Sequence, residues 1–321
     1  GIGLVMTEFV EFISGGHLML MLIFTAFICL LLGMGLPTTA NYIVVSTLMA
    51  PVIVNLGSQS DLVVPLIAVH MFVFYFGILA DDTPPVGLAA FAAAAIAKSD
   101  PIKTGIQGFT YDIRTAILPF LFIFNTELLM IGIENFWHLI ITVLSAVTAM
   151  LLFAAATQGY FFVKSRWWET FVLLLISFTL FRPGYWWDMV YHPNQIVEPT
   201  KIVEIIEKIE SGNDLSLQIE GENIEGETVS KTVLLQVGNA KSGEERLEEI
   251  GLELRIENSK VFVEMVIFDS QAEKVGIDFD WEVLSLKIPN DRPPKQWMYL
   301  PAFFLLFTVI LLQNNRKLIM K

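Results

Sequence analysis

Three apolar stretches, residues 136–156, 169–181 with its aromatic flanks, and 297–312, limit what this chain can become more than any other feature. A helix of roughly 20 residues crosses the bilayer's hydrocarbon layer of about 30 Å. Further apolar runs occupy residues 17–32, 40–56, 61–79 and 115–133. A mean hydropathy of +0.61 is rarely reached by soluble domains of this size. The chain is therefore read as an integral membrane protein.

Charge divides it further. Residues 188–295 hold 23 acidic and 11 basic side chains, a net of -12, and the whole chain carries only -13. The acidity belongs to one insert, and no basic stripe exists for nucleic acid to bind. Alternation and β-branching predict strands at 215–220, 232–237, 252–256 and 261–268, a short helix at 244–250, and a helix at 201–210 capped by Thr200. The insert is expected to be a small soluble α+β domain. Residues 270–277, with Asp280 and residues 281–286, resemble the core of a PDZ domain, a fold that binds peptide ends by adding a strand. A plain α+β cap packing on the membrane part is the alternative.

Lys and Arg near span ends set an orientation. Arg316, Lys317 and Lys321 place the tail in the cytoplasm. Walking back, the acidic domain lies outside, Lys164 and Arg166 inside, Glu127 and Glu134 outside, and Lys98, Lys103 and Arg114 inside. Glu127 and Glu134, near a span end, are expected to be solvated. Residues 100–114 are amphipathic and predict an interfacial helix before the span at 115–133. The domains expected are 1–134, 135–187 with additional spans, 188–296 as the acidic periplasmic domain, and 297–321 as the last span and tail. Cys29 is the one cysteine, so no intramolecular disulfide forms.

Two interruptions of the apolar runs carry the chemistry. The first offers Gly33, Gly35, Pro37, Thr38, Thr39 and Asn41. Pro and Gly release backbone groups from the helical ladder, and in lipid each freed group costs several kcal/mol unless protein or a water-filled cavity satisfies it. Hydroxyl, amide and carbonyl oxygens suit a hard cation such as sodium. The second offers Asp81, Asp82, Thr83, Pro84, Pro85 and Gly87, where consecutive prolines forbid a continuous helix. Intramembrane carboxylates are costly and functional by default. Each interruption reads equally as an ordinary surface turn. If the first is a re-entrant hairpin, the second breaks one long crossing. The membrane part is then all-α, with polytopic helices, a re-entrant hairpin and a broken helix.

The residues Gly33-Met34-Gly35-Leu36-Pro37-Thr38-Thr39-Ala40-Asn41-Tyr42-Ile43-Val44, then 72–77 and Thr83-Pro84-Pro85-Val86-Gly87-Leu88-Ala89, resemble two motifs of the large permease subunit of TRAP transporters, closest to the fused TAXI type. Asp100-Pro101-Ile102-Lys103-Thr104-Gly105 and Pro119-Phe120 continue the likeness, which covers about residues 1–133. The resemblance implies a sodium-driven elevator in the bacterial inner membrane that imports an organic anion, typically a carboxylate, delivered by a periplasmic solute-binding protein. It implies a hairpin tip at residues 33–41 and an unwound segment at 83–87, with sodium held at Gly35, Thr38, Thr83 and Gly87. Relatives often have uncharged residues where Asp81 and Asp82 stand. The region from about Trp137 resembles an extension of some fused TRAP permeases, whose function the family does not imply.

The chain starts at Gly1 without Met or a basic leader. It is read as a piece of a longer permease whose N-terminal half lies upstream. The expected partners are that half, the binding protein, the organic anion and membrane lipid. Sodium is the coupling ion, and no cofactor is expected. No zinc-ligand spacing, nucleophile motif or P-loop appears, so no enzyme is expected. A membrane-anchored periplasmic module that recruits a partner is the second functional reading.

Overall fold

In a computed structural model, the structure describes residues 13–319 apart from 16, 60–61, 82, 85–86, 223–227 and 291. The chain forms two compact units. The first runs up to Ile53, then Val64–Tyr191, then from Pro293 on; the second comprises Val54–Val63 and His192–Arg292.

The first unit is helical. Its helices are α1 (Leu18–Gly33), α2 (Thr38–Gln59), α3 (Leu66–Leu79), α4 (Leu88–Ala97), α5 (Pro101–Phe124), α6 (Phe136–Thr157), α7 (Trp167–Phe181), α8 (Pro183–Val190) and, after the second unit, α12 (Tyr299–Ile319). Local chemistry sets several ends. Asp100 accepts the Lys103 amide at 2.9 Å, and Asn135 accepts the His138 amide at 2.9 Å, so each satisfies an otherwise orphan donor. Lys98 at φ 53 closes α4 in the left-handed region.

By length and composition, Thr38–Ser58, Phe136–Thr157 and Lys295–Ile319 can cross a membrane. Helix α7, expected as a full span, has 15 residues, about 22 Å at 1.5 Å per residue. Arg182 and Pro183 end it there. Helix α3 starts at Leu66 rather than 61, because Pro65 sits at its N-cap in extended geometry. The interfacial helix and the following span are one continuous helix, α5, with Pro119 inside it. Apolar residues Leu121, Ala149, Leu152, Leu173, Ile176, Leu180 and Val309 pack α5, α6, α7 and α12 into one core.

Glu169, at the start of α7, is 1% exposed. Arg316 of α12 grips it with two bonds of 2.9 and 2.8 Å. Gln313 donates to it at 2.9 Å, and the Arg166 amide does the same. Glu127, expected in solvent, is 9% exposed instead, because Lys295 pairs with it at 2.9 Å and His138 lies 3.1 Å away.

The second unit is a six-stranded antiparallel sheet in the order β3-β2-β6-β5-β4, with β1 also on β6. Its strands are β1 (Asn194–Val197), β2 (Asp214–Glu222), β3 (Thr228–Gln236), β4 (Leu252–Glu257), β5 (Lys260–Val266) and β6 (Glu282–Pro289). Along β2, Leu215, Leu217 and Ile219 alternate inward. They meet Ile202, Ile205 and Ile206 of α9 (Ile202–Lys208), Leu247 and Ile250 of α10 (Gly243–Ile250) and Ala272 of α11 (Gln271–Lys274) in one core. The expected strands and the helix at 244–250 are present. Strand β1 was not foreseen, since its four residues are largely exposed. Thr200 does not cap α9: it lies inside the 3-10 turn Pro199–Lys201.

Candidate functional site

The two interruptions are built from local rules and then brought together. After α1 ends at Gly33, the amides of Met34, Gly35 and Leu36 bond back to carbonyls of residues 30–32. Pro37 has no amide to lose, and its carbonyl accepts the Asn41 amide at 3.0 Å as α2 begins at Thr38. At the other interruption, Thr83 turns its hydroxyl back to the Leu79 carbonyl at 2.6 Å, closing the end of α3. The Gly87 amide bonds the Thr83 carbonyl at 3.1 Å, and α4 starts one residue later.

The segments meet where α1 and α2 adjoin the end of α3. A Cβ on Gly33 would lie 2.4 Å from Ala80 Cβ and 2.8 Å from Asn41 Nδ2, so only glycine permits this approach. At Gly77 a Cβ would make only ordinary contacts, 3.6 Å from Asn41 Nδ2 and 3.8 Å from Thr38 Cγ2. The Thr38 hydroxyl donates to Asp81 Oδ2 at 3.2 Å, spanning the two interruptions. Asn41 is fully buried and donates through Nδ2 to the Cys29 carbonyl at 2.8 Å. Its Oδ1 is buried and has no hydrogen-bond partner among the described residues. An unmet buried acceptor costs about 1–3 kcal/mol, so this oxygen is poised for a donor or a cation.

The remaining candidates are placed differently. Gly35 has nothing within 4 Å of a Cβ position, so close packing does not explain it. Gly35, Pro37 and Thr39 are exposed. Pro84 packs on α5, 3.1 Å from the place of a Cβ on Gly105. Thr83 and Gly87 are hydrogen-bonded within their own segment and to α3. Asp82 and Pro85 lie outside the described residues. Sequence reasoning placed Gly77 at the end of the 72–77 motif without a role and overlooked Ala80, whose signal is a small residue directly before a carboxylate. His70 is a satisfied packing residue: its Nδ1 is 3.0 Å from the Tyr42 hydroxyl.

Among the described residues, no three His, Cys, Asp or Glu side chains converge as a metal centre. The donor set at the interruptions is hydroxyl, amide and carbonyl oxygen with one carboxylate. That chemistry fits a weakly held hard cation rather than a tightly bound transition metal.

Residues 1–137 match the family described as tripartite ATP-independent periplasmic transporter, DctM component. Residues 139–318 match the family described as a domain of unknown function, DUF3394. No curated protein and no solved structure matches the chain.

Proposed function

The chain belongs to the DUF3394 family through residues 139–318, and its residues 1–137 match the DctM component of TRAP transporters; from that premise we propose that it is part of a sodium-coupled permease importing an organic anion, a carboxylate by class. A periplasmic binding protein delivers the solute. The ion and solute sites lie at the two interruptions, at mid-membrane depth. The chain sits in the bacterial inner membrane with the acidic unit in the periplasm and the tail in the cytoplasm.

The observation that carries this reading is the meeting of the interruptions through Thr38 and Asp81, beside a buried Asn41 Oδ1 with no partner among the described residues. Sodium is held by oxygens around Gly35, Thr38, Thr83 and Gly87. The Thr38 and Thr83 hydroxyls already donate to Asp81 and Leu79, which leaves their lone pairs to accept a cation. The N-termini of α2 and α4 supply positive dipole ends for the solute's carboxylate. Movement of this assembly as a body between the two membrane faces is an elevator. The PDZ-like likeness of the acidic unit belongs to the same reading, as a surface for an extended peptide of a partner.

The test is uptake by the full-length transporter in vesicles. Replacing external sodium with choline abolishes uptake on this reading, and unchanged uptake rejects sodium coupling. The second unit has a hydrophobic core of its own, which favours a further role as a recruiting module. Deleting residues 188–295 with the flanking spans separates the two: loss of partner binding with uptake intact assigns recruitment to that region.

A further inference from the structure

The helices α5, α6 and α7 leave a cavity of about 220 Å³ between them. Ile117 and Leu121 wall it from α5, Met150 and Phe153 from α6, and Leu174 and Phe178 from α7. Ser177 also reaches it, but its hydroxyl donates to the Ala149 carbonyl at 2.8 Å and is already satisfied. The one charged side chain in the wall is Arg114. A cavity this apolar does not hold ordered water, which needs two to four polar partners.

Arg114 stands at one end of the lining face. Ile117, Leu118 and Leu121 follow it at helical spacing, so the wall runs from a cation to hydrocarbon over about 10 Å. Arg114 Nε bonds the Tyr111 carbonyl at 2.9 Å. Among the described residues no carboxylate pairs with it, so its charge is left to an anion from outside the helices. The volume is below the roughly 300–1,000 Å³ of pockets that enclose a small ligand whole. Whatever enters therefore leaves most of its body outside. Ile117 is 38% exposed, so the cavity opens sideways between the helices.

We infer that this cleft binds one acyl chain of an anionic membrane phospholipid, with Arg114 on the headgroup phosphate. The charge fits the phosphate, the wall fits the chain, and the opening leaves the second chain in the bilayer. The lipid lies where the DctM-matched helix α5 meets α6 and α7 of the DUF3394 region. It thus fills the seam between the transport part and its extension.

Native mass spectrometry of the full chain in detergent, supplied with phosphatidylglycerol and phosphatidylcholine together, tests this. One basic residue near a membrane surface is worth about 1 kcal/mol toward an anionic lipid, so phosphatidylglycerol is retained about fivefold over phosphatidylcholine. Arg114→Gln brings that ratio close to one, and Arg114→Lys keeps most of it. Leu174→Trp fills the cleft and lowers occupancy by both lipids; Met150→Phe repeats the test from the opposite wall. An unchanged ratio in Arg114→Gln overturns the headgroup contact. Unchanged occupancy in both filling variants overturns the chain site. Displacement of the lipid by millimolar inorganic phosphate overturns the lipid as ligand and leaves a free-anion site.

Discussion

Inside the sheet unit, two buried polar side chains pair with neighbours of the same unit. Lys287 Nζ donates to Thr232 Oγ1 at 3.2 Å and Ser285 Oγ to Gln218 Oε1 at 3.1 Å. Arg255 Nε makes no hydrogen bond but lies 3.2 Å from the Glu257 carboxylate. At the helix interruptions Asn41 Oδ1 stays unpartnered in full burial. Gly33 there approaches Ala80 more closely than any residue with a Cβ could. The difference teaches which region can stand alone. A buried charged donor beside a carboxylate is compensated in place, whereas a buried amide oxygen with no partner among the described residues leaves room for a water or a bound group.

That comparison has four ways to break. The largest effect is expected from Arg316→Met, which leaves the Glu169 carboxylate buried without its cation. Breaking such a pair costs about 3–5 kcal/mol; thermal unfolding of the helical unit in detergent should show it, with the circular-dichroism signature of the sheet unit unchanged. Next comes Leu217→Ala in the sheet core, at 0% exposure. It should lower denaturant stability of the sheet unit by about 2–5 kcal/mol while sodium-driven uptake persists. Loss of uptake in that variant would join the two regions that the comparison separates.

Gly33→Val should act the other way round. Overpacking there costs about 1–3 kcal/mol, which the helical unit survives. Uptake should nevertheless fall at least about tenfold, the rate equivalent of 1.4 kcal/mol, because Ala80 cannot retreat. Normal uptake would remove the argument that close approach of the interruptions matters. The smallest change is expected from Thr38→Val, which deletes one part-buried hydrogen bond to Asp81 worth about 0.5–1.5 kcal/mol. The sodium concentration for half-maximal uptake should rise about two- to tenfold, with expression unaltered.

Much of this was legible from local signals. Pro37 stands just ahead of α2, where its missing amide costs no helical bond. Asp100 and Asn135 announce helix starts by side-chain capping. The strands of the acidic unit follow from alternation, which tracks the pleat. Errors gathered where a residue's setting depends on distant chain. Glu127 reads as a solvated carboxylate near a span end, and only Lys295 and His138 bring it into burial. Thr200 has the right chemistry for a cap but is taken up by the turn that Pro199 begins.

The amino-acid sequence by itself determined which segments are apolar, where helices must stop, and that one insert is acidic and sheet-forming. Those properties come from side-chain period, proline and glycine backbone chemistry, and charge, all of which act over a few residues. Only the tertiary structure decided that Thr38 meets Asp81 across 43 residues and that Arg316 reaches Glu169 across 147. It also decided that Gly33, rather than Gly35, is the glycine required for contact. Such pairings depend on how whole helices pack, and packing is set by the summed shape of many side chains rather than by any short run of them.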